Sequence, residues 1–435
     1  MGESARIVGL EPSFECSHIP LRAGAARAVR PIRATSAHRF QRACASWRAA
    51  MLPMLLALLL SACGTGATAH STLYTTPTPG PQNEYLAYIG AGGNIWRLSL
   101  PEGSTVQLTT DARPAAVVYS GLAWSPDGKL LAALRITHSN QNENAQLVVL
   151  RADGQNMLQA PLLAAPYGRP FAWSPNSRYI AYRILAARTS SSQALLVLLD
   201  ARSGALHKAL TYPFQQGCRG RYTTLLAAIN QLHFTGSGID TFGWTPDGNA
   251  MLASASCAND ASLRIDLSSG TFTSGYPRGA VFQPGGNLLL GVWGAGSSTP
   301  VLELRDGTNA LVRDLVTGSA TSAARYPILA GQAVWTANGS QIYYEHADSI
   351  WRIDADGSNA HAIVTGTALD TQHTATVELA PAVSPDGRML IYCELKGTDT
   401  ASGTVERTWY LAAPDGANSA VLPDVTTEAV WQPPS

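Results

Sequence analysis

Hydrophobic and polar positions alternate in short runs along most of the chain, and turn residues separate the runs. The alternation is clearest where an apolar stretch and an aromatic residue precede Ser/Thr-Pro-Asp/Asn-Gly, after which a second alternating run begins. Successive side chains of a strand point to opposite faces, so each run predicts a short β-strand with one buried face. Pro fixes φ at the first turn position and Gly supplies a left-handed residue, which together predict a tight hairpin.

This hairpin pattern recurs at intervals of 38 to 71 residues. A second pattern with an Asp-Gly-type turn follows several copies, for example NIWRLSLPEG and SIWRIDADG. Four antiparallel strands in about 40–50 residues match the length of one propeller blade, so the repeats predict an all-β protein. The position that marks each copy is occupied by Trp124, Trp173, Trp244, Phe282, Trp335, Val383 and Trp431.

The first and last repeats are incomplete in complementary ways. Tyr85–Ile89 matches a second strand with no hairpin pattern before it, and Ala429–Pro433 matches a first strand with nothing after it. We therefore predict a seven-bladed β-propeller of four-stranded antiparallel blades, closed by the C-terminal strand joining the N-terminal blade. The alternative is six blades, with the segment around Phe282 absorbed as an insertion; the runs LLLGVW and VLELRDGTNALVRDL favour seven.

The repeats resemble those of the TolB-type propeller family, which carry a W-S-P-D-G-K-x-I-A-F core and an I-W-x-x-D-x-D-G-x tail. The resemblance covers residues 85–435 and implies the fold rather than a particular function. It also implies that TolB itself has an α/β domain before its propeller. In this chain a short linker precedes Tyr85, which argues against a role in the Tol–Pal envelope system.

One stretch is long and purely apolar, the ten residues Met51–Leu60. As a helix it would rise about 15 Å, half the hydrocarbon thickness of a bilayer, which is too short to span it. Arg42 and Arg48 precede this stretch, and Leu60-Ser-Ala-Cys63-Gly follows in a pattern that resembles the lipobox of bacterial lipoproteins. We expect Cys63 to carry the lipid. The alternative, a buried core helix that ends in Cys, lacks a polar face.

These patterns divide the chain into three segments. Residues 1–62 are expected to be a signal region, extended at its start beyond the ordinary signal length of about 15–30 residues, and to be removed. Residues 63–84 hold the lipidated Cys63 and a flexible Ser/Thr/Pro/Gly linker, and residues 85–435 form the propeller. A stable lipid anchor places the domain outside the cytoplasm, in the periplasm or at the cell surface of a bacterium, where disulfides are permitted.

Charge and motifs narrow the classes of function. The 30 basic and 30 acidic residues give no net charge, which disfavours nucleic acid as a partner. The G-x-S-x-G, H-E-x-x-H and P-loop motifs are absent, and the histidines lack metal-ligand spacing. We therefore predict no catalytic residues, no metal and no cofactor.

Candidate binding residues come from the connections between predicted strands. The tight turns lie at one end of every predicted blade, so the longer connections lie at the other end, where recognition is expected. Arg, Tyr and Pro recur in these connections, and converging guanidinium groups suit a carboxylate, sulfate or phosphate. The alternative is that they cap turns and pair with nearby carboxylates. The candidates are Arg113, Tyr167, Arg169, Tyr276, Arg278, Arg325 and Tyr326.

The remaining cysteines suggest one cross-link. Cys218 lies in a long insertion before the fourth blade and Cys257 ends that blade's second strand, so both fall at one end and predict a disulfide. The alternative is that both are packed thiols. Cys393, inside the run MLIYCE, is expected to be a buried free thiol.

Together these features predict a lipid-anchored, monomeric, extracytoplasmic propeller. Its expected partner is a protein or an envelope polymer, bound through the loop-rich face. The alternative is a propeller hydrolase or lyase with an active site at the channel mouth, since one fold can carry many functions. A third interpretation is a sensor of small molecules.

Overall fold

A computed structural model of the protein describes residues 84–114, 116–139, 142–161, 171–185, 193–213, 242–254, 261–294, 300–317, 333–346, 348–366, 374–398 and 405–434. The chain divides into two compact parts, Met1–Ala67 and Thr68–Ser435, and the first lies wholly outside the described residues. The described residues form 27 β-strands and no helix. The all-β prediction is confirmed, whereas the predicted signal region, Cys63 and linker lie outside the described residues.

The strands form antiparallel groups of four, which we number repeats 1 to 7 in chain order. Repeat 1 consists of β27 (Ala429–Trp431), β1 (Glu84–Ile89), β2 (Ile95–Leu100) and β3 (Thr105–Gln107). Repeat 2 consists of β4 (Val117–Trp124), β5 (Leu130–Ser139), β6 (Asn142–Arg151) and β7 (Asn156–Pro161). Repeat 3 consists of β8 (Phe171–Trp173), β9 (Tyr179–Leu185), β10 (Gln193–Asp200) and β11 (Leu206–Pro213).

Repeats 4 and 5 share one long strand. Repeat 4 consists of β12 (Phe242–Trp244), β13 (Ala250–Ser254), β14 (Ala261–Asp266) and β15 (Phe272–Phe282), and repeat 5 adds β16 (Leu289–Trp293), β17 (Val301–Arg305) and β18 (Leu311–Thr317). The first half of β15 pairs with β14 and the second half with β16, so these strands form one seven-stranded sheet. The predicted repeat around Phe282 therefore has three strands of its own and uses the second half of β15 as its first strand.

Repeats 6 and 7 complete the series. Repeat 6 consists of β19 (Ala333–Trp335), β20 (Gln341–His346), β21 (Ser349–Asp354) and β22 (His361–Val364). Repeat 7 consists of β23 (Thr374–Val383), β24 (Leu390–Thr398), β25 (Val405–Ala412) and β26 (Ala420–Val421). In every repeat the first strand is hydrogen-bonded to the second, the second to the third and the third to the fourth. The first and fourth strands are therefore edges, except for β15, which lies inside the sheet shared by repeats 4 and 5.

The turns between first and second strands owe their shape to a buried hydroxyl. Ser125 Oγ donates to Asp127 Oδ1 at 2.6 Å and accepts from the backbone N–H of Leu130 at 3.0 Å. The same two bonds form around Ser174, Thr245, Thr336 and Ser384. Because the hydroxyl holds both sides of the turn, these connections stay short and rigid.

We call the end of each repeat that carries these turns the turn end, represented by Ser125–Lys129 between β4 and β5. The opposite end, where second strands lead to third strands and one repeat leads to the next, is the loop end.

Neighbouring repeats pack face to face through apolar side chains. Six hydrophobic clusters each combine buried residues of two consecutive repeats, and a seventh combines repeat 7 with repeat 1. Indole N–H groups add bonds across three of these contacts: Trp173 donates to Ala123 O at 2.9 Å, Trp244 to Ala172 O at 3.1 Å and Trp431 to Ala382 O at 3.0 Å. In these three repeats the marker tryptophan thus joins the first strand to the preceding repeat.

Repeat 1 combines strands from distant parts of the sequence. In the antiparallel pairing of β27 with β1, Leu86 is opposite Trp431 and Tyr88 is opposite Ala429. Backbone bonds continue the ladder at both ends, from Ile89 N to Glu428 O at 3.0 Å and from Gln432 N to Tyr85 O at 2.8 Å. The half-repeats at the two ends of the sequence thereby form one sheet, in agreement with the complementary patterns.

Candidate functional site

Several of the sequence-predicted site residues lie outside the described residues, so their predictions stay predictions. Arg113, Tyr276 and Arg278 can be placed, and they do not share one environment. The undescribed set comprises Tyr167, Arg169, Arg325, Tyr326, the lipid-attachment residue Cys63, and the predicted disulfide partners Cys218 and Cys257. Cys393 is described, and it is a buried free cysteine, as predicted.

Arg113 is exposed at the loop end, in the connection from repeat 1 to repeat 2. Its backbone closes a small turn, because Arg113 O accepts from the N–H groups of Ala116 and Val117 at 2.7 Å each, and Arg113 N donates to Val117 O at 2.9 Å. These bonds fix the backbone, and the Arg113 residue is exposed.

A network of three side chains fixes the same connection. Asp111 accepts from Tyr119 Oη at 2.6 Å and from Arg135 Nε at 2.8 Å. Burial alone would raise the pKa of Asp111, but the hydrogen bonds from Tyr119 and Arg135 hold it below its usual value. Burial and the Asp111 carboxylate raise the pKa of Tyr119. Asp111 is therefore an anion at neutral pH, tied to β4 and β5.

Tyr276 and Arg278 lie within strand β15 rather than in a loop. Tyr276 is buried in the cluster between repeats 4 and 5, and the half-buried Arg278 is opposite Val292. Pro277 packs so closely on Gly291 that a Cβ there would lie 2.6 Å from Pro277 Cγ. The connection from repeat 4 to repeat 5 thus has no free loop, which corrects the expectation that these residues sit in a connection.

The hairpin between β20 and β21 carries a pair of titratable residues that the sequence did not single out. His346 and Asp348 flank its tip at the loop end, and Asp348 has a φ of 63°. His346 Nδ1 and Asp348 Oδ1 are both buried atoms without a hydrogen-bond partner. Burial raises the pKa of Asp348 to about 6 and lowers that of His346. The sequence gives no signal for this pair, because the histidines show no metal-ligand spacing.

Two buried glutamates support first strands near the loop end. Glu428 accepts from the N–H groups of Gly121 at 2.8 Å and Leu122 at 3.0 Å, where β4 bulges. Glu345 accepts from Ala380 N at 2.7 Å at the corresponding bulge of β23. Each carboxylate joins one repeat to the bulge of the next, which is a structural role.

The described residues contain no group of three or more His, Cys, Asp or Glu side chains arranged to hold a metal ion. They also contain no helix long and apolar enough to cross a bilayer. A pocket of about 290 Å³ lies at the turn end of repeat 1 rather than at the loop end, lined by Tyr85, Arg97, Ser99, Glu102, Ser104 and Val106.

Comparisons with known proteins give structural likeness only. No protein-family model matches the chain, and no curated protein matches it. Among solved structures, a putative 6-phosphogluconolactonase from Bacteroides uniformis is 16% identical, with 80% of this chain and 99% of that chain covered and a TM-score of 0.47. An oligogalacturonate lyase in complex with manganese is 14% identical, with 74% and 82% covered and a TM-score of 0.47.

A third structure, of a eukaryotic initiation factor, is 12% identical, with 81% of this chain and 99% of that chain covered and a TM-score of 0.40. All three structures are at most 16% identical to this chain and have TM-scores below 0.5. A structural likeness this distant does not show that this chain shares a reaction or a partner with these proteins. The TolB-type family stays a prediction, and the function has to be inferred from the residues of this chain.

Proposed function

We propose that the chain is a TolB-type, seven-bladed propeller in which each repeat is one blade and β27 closes the ring by pairing with β1. Seven hydrophobic clusters support this proposal, because every repeat has an apolar contact with the next and repeat 7 has one with repeat 1. A closed ring leaves no unpaired repeat face. The lipobox pattern at Cys63 supports anchoring of this ring outside the cytoplasm.

For the function, we propose that the protein binds an anionic protein or envelope polymer at the loop end. The observation that carries this proposal is the exposed Arg113, whose turn is fixed by its own backbone bonds and by the Asp111 network. A fixed backbone reduces the conformational freedom that this connection loses on binding, and a guanidinium suits a carboxylate or phosphate through paired hydrogen bonds. Arg169 and Arg325, in other predicted loop-end connections, would extend the same surface.

The test is capture of partners from envelope extracts by the full chain. We expect Arg113→Ala to lower the retained partner about tenfold, since one hydrogen bond to a charged group contributes roughly 1.5–3 kcal/mol. Arg202→Ala is the matched control, because Arg202 is an exposed arginine at the turn end. Equal retention by the two variants would contradict a binding role for the loop end.

A second candidate function is hydrolysis or lyase chemistry at the loop end. The observation that favours it is the His346–Asp348 hairpin tip, where a carboxyl group with a pKa of about 6 lies two residues from a histidine. A carboxyl group that titrates near neutrality can exchange protons with a substrate. Two structural neighbours carry a lactonase and a lyase name.

This candidate predicts turnover in a screen of lactones, esters and uronate oligomers. Asp348→Asn should abolish any activity found, because Asn retains the shape of Asp348 but cannot take up a proton. Asp356→Asn, at an exposed turn-end position, should leave the activity unchanged. Turnover that survives Asp348→Asn would remove this pair from the mechanism.

A further inference from the structure

Most of the exposed large hydrophobic side chains among the described residues lie on fourth strands, and they include Val106 (42% exposed) in repeat 1 and Val421 (44%) in repeat 7. Exposed large hydrophobic side chains at the turn end of the fourth strands include Leu206 (58% exposed), Phe272 (50%) and Leu311 (53%). They belong to the consecutive repeats 3, 4 and 5, and Val312, also 53% exposed, is next to Leu311. We call these four side chains the apolar rim.

The rim residues occupy one structural position. Leu206, Phe272 and Leu311 each lie two residues after a turn residue with a left-handed backbone conformation. These turn residues are Gly204, Gly270 and Asn309, respectively. The other four repeats have the same left-handed turn, and there the corresponding residue is polar and exposed. These polar residues are Thr105, Asn156, Asn359 and Asn418.

Strand register places the rim at the turn end. Phe272 is opposite Ile265, which is opposite Met251, which in turn is opposite Trp244. Pairing from the fourth strand to the first likewise connects Leu206 with Trp173 in repeat 3 and Leu311 with Phe282 in repeat 5. Each rim residue is thus level with the last residue before the tight turn.

The chain also enters the domain at the turn end. Glu84 lies two residues before Leu86, which is opposite Trp431, so Glu84 is on the turn side of the marker aromatic of repeat 1. Twenty residues separate Cys63 from Glu84, which allows a reach of at most about 70 Å. A lipid on Cys63 would therefore keep the turn end within reach of the bilayer. In the proposed ring, repeats 4 and 5 lie opposite repeat 1.

We propose that the apolar rim rests on the membrane to which the lipid on Cys63 attaches the protein. The tether and the rim would then hold opposite sides of the turn end against the bilayer, so that the loop end with Arg113 faces away from it. Apolar side chains at the lipid interface lose contact with water, which favours this orientation. The inference rests on the proposed anchoring and adds the orientation of the binding surface.

The test uses the full, lipidated chain in vesicles of phosphatidylethanolamine and phosphatidylglycerol. Phe272→Cys and Leu311→Cys introduce thiols in the rim, and Asn144→Cys introduces one at an exposed loop-end position. The reaction of each with a polymer-linked maleimide is followed by gel shift, before and after detergent is added. The unsubstituted chain gives the background of the native cysteines.

We expect the rim thiols to react at least about tenfold more slowly in vesicles than in detergent, which corresponds to coverage for nine-tenths of the time or more. The Asn144→Cys thiol should react equally in both. Equal rates at all positions in a membrane-bound chain would overturn the rim contact alone. Recovery of the chain in the soluble fraction would overturn the anchor and the orientation together. Protection that disappears when the lipid-to-protein ratio is raised would instead identify a second copy as the cover and overturn the proposal.

Discussion

In hairpins whose turn begins with a buried Ser or Thr, the hydroxyl group of that residue forms hydrogen bonds within the turn and stabilises it. Ser125 is fully buried, and its Oγ both donates to Asp127 and accepts from Leu130. Where the repeat has Gln instead, the side chain reaches the next repeat: Gln283 Nε2 donates to Gly339 O at 2.8 Å and Gln432 Nε2 to Gly128 O at 2.7 Å. The Pro-Asp-Gly pattern predicts the turn, but no pattern distinguishes these two uses of the position.

Replacing Ser125 with Ala should destabilise the protein by about 1–3 kcal/mol, because the Leu130 N–H would lose its side-chain acceptor and Asp127 its donor. Ser358→Ala is the control, since that hydroxyl is exposed at a turn of repeat 6, and a change of less than about 0.5 kcal/mol is expected there. Urea unfolding followed by tryptophan fluorescence measures both. Equal effects would show that the buried hydroxyl contributes nothing beyond the turn itself.

Asp348 should make stability depend on pH. Its pKa in the folded protein is about 6, above its unfolded value near 3.9, so the folded state holds more protons between these values. The contribution of Asp348 to the free energy of unfolding is fully present below pH 4 and is lost as the pH rises through 6. Asp348→Asn should therefore stabilise the protein at pH 7.5 by on the order of 1 kcal/mol, after allowance for solvent screening, and have no effect at pH 4. Thermal unfolding at the two pH values measures this, and a gain at pH 4 would contradict it.

At the scale of strands, bulges determine how one repeat contacts the next. The bulge in β4 needs Gly121 at a φ of 66°, and it turns two N–H groups towards Glu428. The bulge in β23 directs Ala380 N towards Glu345 in the same way. Period-two alternation predicts that both segments are strands, whereas a bulge breaks the alternation and cannot be read from it. For the same reason the alternation does not predict β15 as one continuous strand, because Gly275, Pro277 and Gly279 interrupt its apolar pattern.

Glu428→Ala should destabilise the protein by about 2–4 kcal/mol, because two buried backbone N–H groups would lose their acceptor. Glu428→Gln is the matched variant. It retains one acceptor oxygen and should cost roughly half as much. Denaturant unfolding gives the free energies, and hydrogen exchange at Gly121 and Leu122 should speed up in the Ala variant. Unchanged exchange at these two amides would contradict the role of the carboxylate.

At the scale of the whole molecule, the sequence is most informative about repetition and least about recognition. The marker residues and the complementary half-repeats predict the four-stranded groups and the pairing of β27 with β1, although not its register. The candidate binding residues are different, because the recurrence of Arg and Tyr does not give them one environment: Arg113 is exposed, Tyr276 is in the core, and Arg278 is half-buried. Period and turn chemistry specify a scaffold, whereas the exposure of a connecting residue depends on contacts that no local pattern encodes.

Removal of residues 428–435 tests the closure of this scaffold. The deletion removes β27, including the buried Ala429 and Trp431, and leaves β1 with an open edge. Loss of the Trp431 side chain alone should cost about 3–5 kcal/mol, and the free edge should promote self-association. Deletion of residues 433–435 is the control, because it leaves β27 and the Gln432 bond to Gly128 in place. Thermal unfolding with size-exclusion chromatography distinguishes the two. If the longer deletion unfolded at the same temperature as the control and stayed monomeric, the β27–β1 pairing would not be what closes the proposed ring.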